Sequence, residues 1–123
     1  MLISEIILES AGITFIETPF FQKTSKKWLR QALIQKKFVQ FMDFKESHPF
    51  SAFGGKDYTF AGKSPLGNFN VKHAGLTGNV SVIYKIIGNV IKLYAIGSHD
   101  DFGIGNPANI KRQQQIASKI KNQ

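Results

Sequence analysis

The sequence predicts an α+β fold in which helices pack on one face of an antiparallel sheet. Three observations predict this class: a β-rich run at residues 12–17, apolar residues at helical spacing between residues 24 and 44, and two β-rich runs joined by Gly88 and Asn89. A length of 123 residues suffices for one domain with its own core but not for two, so residues 1–123 are expected to form a single domain.

The N-terminal region combines an ambiguous segment with a clear strand. Residues 1–11 fit either a short helix or a loose arm, and residues 1–12 are expected to be an extension of the domain. Residues 12–17 (GITFIE) are mostly β-branched and aromatic, which predicts a strand that Thr18 and Pro19 end.

A helical region is predicted next. Thr24 or Ser25 can cap a helix that continues to Phe44 around a lysine-rich face, and any break into two helices is expected near residues 35–37. The His48-Pro49 pair ends this region, because proline disfavours helix in the residue before it.

Residues 49–67 predict a loop that is rich in Gly, Ser, Pro and Lys, with Phe and Tyr between them. Basic residues interleaved with aromatic ones are typical of surfaces that follow a phosphate backbone and stack bases. The same pattern fits a surface loop whose Phe residues anchor it in the core.

Three strands and a helix complete the predicted order. The strands cover residues 68–74, 79–87 and 90–96, and the two-residue Gly88-Asn89 turn makes the last two antiparallel neighbours. After a loop at residues 97–105, Asn106 can cap a C-terminal helix over residues 106–122 that packs near the sheet, with Pro107 at its first position.

Composition limits the possible functions. The formal net charge of +8 and the pI near 9.8 favour an anionic partner: nucleic acid first, then an anionic membrane surface or an acidic protein. The absence of cysteine excludes disulfides and thiolate metal sites. The sequence has no signal-peptide pattern and no apolar run long enough to span a bilayer, so a cytoplasmic protein without membrane attachment is expected.

Motifs for nucleotide and metal chemistry are missing from the sequence. There is no P-loop, the acidic residues are scattered, and His48, His73 and His99 lack the spacing of a zinc site, so no cofactor or metal is expected. What remains is metal-free acid–base chemistry by histidine and lysine, which suits RNA cleavage because a base must deprotonate the 2′-OH and an acid must protonate the leaving 5′-oxygen. The strand end at His99 is the first candidate site, because loops that a rigid strand positions often carry function.

Two segments carry a resemblance to a known family. ITFIETPFFQKTSKKWL and VIYKIIGNVIKLYAIGSHDDFG resemble the opening strand and basic helix, and the central hairpin with its active-site end, of the RelE/ParE superfamily of bacterial toxins. Within it they are most similar to the YafQ-like ribosome-dependent mRNA endonucleases. The resemblance covers roughly residues 13–103 and implies a RelE-like fold, mRNA cleavage on the ribosome, and an antitoxin partner.

The resemblance also implies roles for individual residues. His99 is similar to the family's closing-strand histidine and is the expected general acid, while His48 and His73 match two further histidine contexts. Phe102 looks like the aromatic residue that holds a base. Asn79 stands where the family has an acidic residue.

Further candidates follow from the residues themselves. Strand alternation leaves open whether Lys72 or His73 is the base, because the two side chains point to opposite faces. The acid that orients a histidine would be Asp101 or its neighbour Asp100, although Asp-Asp-Phe-Gly also fits ordinary turn chemistry.

Three exposed cations are candidate phosphate contacts, namely Lys56, Lys85 and Arg112. Two alternative functions remain open at this point: a ParE-like toxin that inhibits DNA gyrase, and a non-enzymatic basic domain that binds RNA or the ribosome.

Overall fold

The computed structural model describes residues 6–10, 12–60, 62–105 and 107–123. Within these residues, six strands form one sheet, with four α-helices and one 3-10 helix around it. In chain order the elements are β1 (Ile6–Ser10), β2 (Ile13–Glu17), α1 (Pro19–Trp28), α2 (Ala32–Ser47), β3 (Asp57–Thr59), the 3-10 helix (Pro65–Phe69), β4 (Lys72–Gly75), β5 (Val80–Ile87), β6 (Val90–Ser98), α3 (His99–Phe102) and α4 (Ile110–Lys121). The predicted α+β class is confirmed.

The sheet has the strand order β1-β2-β6-β5-β4-β3. β2 runs parallel to β6, and all other neighbouring strands are antiparallel. The predicted hairpin is confirmed, because Gly88 and Asn89 connect β5 to β6 and Ile87 pairs with Val90. The sheet therefore joins the antiparallel meander to an N-terminal hairpin through one parallel pair.

Two predictions for the N-terminal part are wrong in detail. Residues 6–10 form a strand that pairs with β2, instead of a helix or a loose arm, while residues 1–5 and 11 lie outside the described residues. The first helix starts earlier than predicted: the Thr18 hydroxyl accepts the Phe21 N–H at 3.1 Å, and Pro19 occupies the first turn. Thr24 and Ser25 therefore lie inside α1.

The break between the two helices lies at residues 29–31 and not at 35–37. The break lets both helices turn their apolar sides toward the same core, where the rings of Phe21 and Phe38 lie 5.6 Å apart. Phe41 continues this contact onto the sheet through Tyr84, at 5.2 Å between ring centroids. Tertiary packing, which residue spacing does not reveal, thus sets the position of the break.

Apolar residues are buried on both faces of the sheet. One face packs Phe15 and Leu93 against α1 and α2, and the other packs Ile83 and Ala95 against α4. The prediction that helices cover a single face is therefore wrong. The first five residues of β5, VSVIY, are all buried, and a strand buried on both sides needs a cover on each side.

Strand and helix ends in the second half also differ from the prediction. β4 begins at Lys72 because the preceding residues form the 3-10 helix, which the Ser64 hydroxyl caps. β6 continues to Ser98, and His99 begins a short helix within the predicted loop. α4 starts at Ile110 with Asn109 as its cap, while Asn106, the predicted cap, lies outside the described residues.

Candidate functional site

His73 and His99 line the same cleft, which has a volume of about 220 Å³. The strand register explains how they meet. His73 in β4 pairs with Ile83 in β5, so that His73, Ile83 and Ser81 lie on one face of the sheet. Val80, at the start of β5, pairs with Ser98, so the chain enters α3 at His99 beside Ser81. Two histidines that are 26 positions apart in the sequence are thus brought to one end of the sheet.

The position of His99 is fixed at both its backbone and its ring. Its N–H donates to the Asn79 carbonyl at 2.8 Å, and its Nε2 atom lies 3.3 Å from the Ser81 hydroxyl. The turn itself is held by a capping box in which Ser98 and Asp101 each accept the other's backbone N–H at 3.0 Å. His99 therefore stands on a rigid turn with a hydroxyl partner at one ring nitrogen.

His73 is half-buried between aromatic rings. Its ring centroid lies 4.5 Å from that of Phe60 and 6.0 Å from that of Tyr58. Burial lowers the pKa of His73 below its usual 6.5, the charge of His99 lowers it further, and the charge of Asp57 opposes both effects. The neutral imidazole therefore predominates at pH 7, which leaves a ring nitrogen able to accept a proton.

Lys56 and Tyr58 line the same cleft at the edge of the sheet. The Lys56 carbonyl accepts the Gly75 N–H at 2.7 Å, and Tyr58 pairs with His73 across β3 and β4. Both residues are exposed, so a cation and an aromatic ring stand beside the two histidines in reach of a ligand. Lys56 is the one predicted phosphate contact that lies at the cleft.

A second cleft of about 290 Å³ adjoins the first and shares His73 and Ile104 with it. Its other described lining residues come from the end of β3 and the segment after it, from the segment between α3 and α4, and from the start of α4. They include Phe60, Lys63 and Ile110. His73 thus lies at the boundary between the two clefts, and His99 is on the described lining of the first.

A buried ion pair supports the edge strand β3. The Lys45 ammonium donates to the Asp57 carboxylate at 2.7 Å, with exposures of 1% and 0% for the two side chains. The Tyr84 hydroxyl and the Phe53 N–H donate to the same carboxylate, and Lys45 also donates to the Ser51 carbonyl. Because Asp57 lies between Lys56 and Tyr58, this network anchors the part of the cleft that Lys56 and Tyr58 line to α2 and β5.

Two predicted catalytic residues lie elsewhere. Lys72 pairs with Tyr84, which belongs to the core on the α1–α2 face, and the charge of Lys72 contributes to lowering the pKa of Lys45. His48 is exposed at the end of α2, where it stacks on Phe44 at 5.1 Å. The described residues that line the two clefts include neither, so these clefts do not bring Lys72 or His48 together with His99.

The two predicted residues after His99 have structural roles. Asp101 is engaged in capping α3, so it does not orient a histidine as predicted, and its neighbour Asp100 is exposed. Phe102 is only 1% exposed and packs in the core with Ala117 and Ile120, so it offers no free ring face to a base. Both corrections have the same cause, the helical turn that replaces the predicted loop.

The remaining predicted cations lie on β5 and on α4. Lys85 pairs with Lys92 on the sheet, and Arg112 is exposed on α4 with its backbone N–H bonded to Asn109. Neither is among the described residues lining the two clefts. The lining residues that were not predicted from the sequence include Tyr58, Lys63, Ser81 and Ile104. The basic and aromatic composition of residues 49–67 was a signal for the first two, whereas Ser81 and Ile104 had none.

Over residues 6–10, 12–60, 62–105 and 107–123, no three His, Cys, Asp or Glu side chains are grouped closely enough to hold a metal ion. Within the same described residues, no helix has both the length and the apolar character needed to cross a membrane.

Comparison with known proteins gives one informative likeness. No protein-family model matches the sequence, and no curated protein matches it. Among solved structures, the chain is similar to a copper-bound mutant toxin from Helicobacter pylori, with a TM-score of 0.53 and 16% identity over 71% of this chain and 94% of that one. Such a low identity speaks to the fold alone: the chain shares an α+β fold with that protein.

Proposed function

We propose that the protein is a toxin-type endoribonuclease of a toxin–antitoxin system, which cleaves mRNA on the ribosome by metal-free acid–base catalysis. The observation that carries the proposal is the pairing of His73 and His99 in one cleft with Lys56 beside them. The net charge of +8 suits an RNA substrate, and the fold shared with a bacterial toxin agrees with the role.

The proposed reaction uses both histidines. One removes the proton from a ribose 2′-OH while the 2′-oxygen bonds to the adjacent phosphorus. The other gives a proton to the 5′-oxygen as the bond between that oxygen and phosphorus breaks. The products are a 2′,3′-cyclic phosphate and a 5′-hydroxyl, and the ammonium of Lys56 stabilises the charge that gathers on the phosphate.

Within this proposal His73 is the base and His99 the acid. The lowered pKa of His73 supports the first assignment, because a base must be unprotonated before it acts. Lys72 is the less suitable base, since it pairs with Tyr84 on the other face of the sheet. Ser81, whose hydroxyl lies 3.3 Å from Nε2 of His99, is a positioning residue.

The proposal includes two macromolecular partners. The ribosome would present mRNA in its A site, and an antitoxin with an acidic segment would silence the enzyme by covering the basic cleft. Both partners are proposed from the charge of the chain and from its resemblance to ribosome-dependent toxins.

The test is an in vitro translation reaction in which the ends of cleaved transcripts are mapped. We expect cleavage by the wild type and losses of about 100-fold or more in His73→Ala and His99→Ala. His48→Ala is the matched control, because it removes an exposed histidine at the end of α2 and should cleave like the wild type. Undiminished cleavage by His99→Ala would overturn the assignment of the acid.

Two other results would replace the proposal as a whole. RNA binding that falls steeply with salt and survives loss of all three histidines, without cleavage by the wild type, would identify a non-enzymatic binding domain. Gyrase-dependent DNA breaks without mRNA cleavage would identify a ParE-like toxin.

A further inference from the structure

The second cleft is a candidate binding site of its own. It has a volume of about 290 Å³, near the lower end of the range for small-molecule sites, about 300 Å³. It is therefore large enough for one flat heterocycle and too small for an extended chain. Its described lining includes the rings of Phe60 and His73 and the side chains of Ile104 and Ile110.

The cleft is held open by hydrogen bonds between its walls. The Ser64 hydroxyl donates to the side-chain oxygen of Gln113 at 2.5 Å, and the amide nitrogen of Gln113 donates to the Gly103 carbonyl at 2.9 Å. Ser64 also accepts the Leu66 N–H at 3.1 Å. These bonds join α4 to the segment before the 3-10 helix and to the end of α3, so the cleft does not need a ligand to form.

The same bonds determine what the cleft offers to a ligand. Ser64 and Gln113 are engaged with each other and with backbone groups, so they present few free donors or acceptors. Among the described lining residues, Lys63 is exposed and carries a positive charge. The ligand that fits is flat with apolar faces, and it carries an anionic group where Lys63 stands.

We infer that this second cleft binds one nucleobase of the RNA substrate, with its phosphate near Lys63. His73 contributes to both clefts. When a phosphate reacts between His73 and His99, a neighbouring base of the RNA is therefore within reach of the second cleft. This inference rests on the proposed function. Because stacking outweighs hydrogen bonding here, purines, which have the larger ring system, are expected to bind more tightly than pyrimidines.

The test measures binding separately from cleavage. Nuclear magnetic resonance titrations of the full chain would use the four nucleoside 5′-monophosphates, with ribose 5-phosphate as the baseless control. We expect the monophosphates, purines most strongly, to shift the amide signals of Ile104 and Ile110, and ribose 5-phosphate to leave them nearly unchanged.

A blocking variant and its control complete the experiment. Ala108 is an exposed lining residue, so Ala108→Trp should fill the second cleft without disturbing the core. We expect this variant to lower monophosphate affinity about 5- to 150-fold. Gln115→Trp adds the same ring to an exposed position of α4 outside the described lining and should bind like the wild type. Thermal unfolding checks that both variants fold.

The outcomes separate this inference from the function on which it rests. Base-dependent shifts that Ala108→Trp abolishes support the base site, even if the wild type fails to cleave mRNA. Cleavage by the wild type with equal shifts from ribose 5-phosphate and the monophosphates overturns the base site and leaves the proposed function standing. Unchanged affinity in a folded Ala108→Trp variant also overturns the base site.

Discussion

Replacing Asp57 by Asn removes the charge at the centre of the buried network while keeping its shape. In the wild type, one carboxylate oxygen accepts bonds from the Lys45 ammonium and the Phe53 N–H, and the other accepts from Tyr84. In Asp57→Asn, the amide oxygen can still serve Tyr84, but the NH₂ group then faces two donors. Lys45 keeps only the Ser51 carbonyl, at 2.6 Å.

The expected cost follows from the burial of the pair. Removing one partner of a buried ion pair typically costs about 3–5 kcal/mol, because the other charge stays desolvated without compensation. With side-chain exposures of 1% and 0%, Lys45 and Asp57 meet that condition. The free energy of unfolding of a typical domain is about 5–15 kcal/mol, so Asp57→Asn should lose a large part of its stability.

Urea unfolding measures this effect, and a double-mutant cycle isolates the pair. Asp57→Asn and Lys45→Met should each destabilise, and the double variant should lose much less than the sum, since it leaves no unpaired charge. Asp43→Asn, at an exposed position of α2, is the surface control and should stay within about 0.5 kcal/mol of the wild type.

The pH dependence gives a second signature of the same pair. Burial lowers the pKa of Lys45, while the hydrogen bond and charge of Asp57 raise it, so removing Asp57 lowers that pKa further. In the unfolded chain Lys45 has a pKa of about 10.4. In the folded protein it binds its proton more weakly, so the free energy of unfolding rises with pH up to about 10.4. The deficit of Asp57→Asn should thus be smaller at pH 9 than at pH 7. A loss below about 1 kcal/mol, or strictly additive variants, would refute the reasoning.

Three further predictions concern His73, His99 and the turn after α3. Because the folded pKa of His73 lies below 6.5, its contribution to the free energy of unfolding is complete above pH 6.5 and lost as the pH falls toward the folded pKa; urea titrations of wild type and His73→Gln should differ in that slope. Ser81→Ala should slow mRNA cleavage about 2- to 12-fold without further loss in a His99→Ala background, and an equal additional loss there would contradict a positioning role. Gly103→Ala should destabilise by about 1–3 kcal/mol more than Gly88→Ala: both glycines have positive φ, but only at Gly103 would the new Cβ collide with the Asn109 carbonyl, and equal thermal unfolding of the two variants would count against this account.

Locally encoded features of the fold were predictable from sequence. The hairpin at Gly88-Asn89 follows from turn chemistry within two residues, and the strand at residues 13–17 from its β-branched composition. The first helix carried its start signal at Thr18 and Pro19, a cap followed by proline, although the same pair also fits the end of a strand.

Features that depend on distant contacts were not predictable. β3 has only three residues, and it is held by Asp57, whose partners Lys45 and Tyr84 are 12 and 27 residues away in sequence. At the candidate site, the strand-end position of His99 was visible in the sequence, but the placement of Lys72 and His73 relative to it depends on which face of the sheet α4 covers. Phe102 could be taken for a ligand contact because no local signal distinguishes a buried aromatic residue from an exposed one.

The parallel pairing of β2 with β6 has a consequence for how the chain folds. β6 pairs with β5 across a two-residue turn, and such a hairpin forms within microseconds. Its other neighbour, β2, is far away in the sequence: the Thr18 hydroxyl that follows β2 donates to the Tyr94 carbonyl, 76 residues later. Until that distance is closed, one edge of β6 is unpaired and can pair with another chain. Variants in which β2 docks more slowly should therefore aggregate during refolding, even when the stability of their folded state is unchanged.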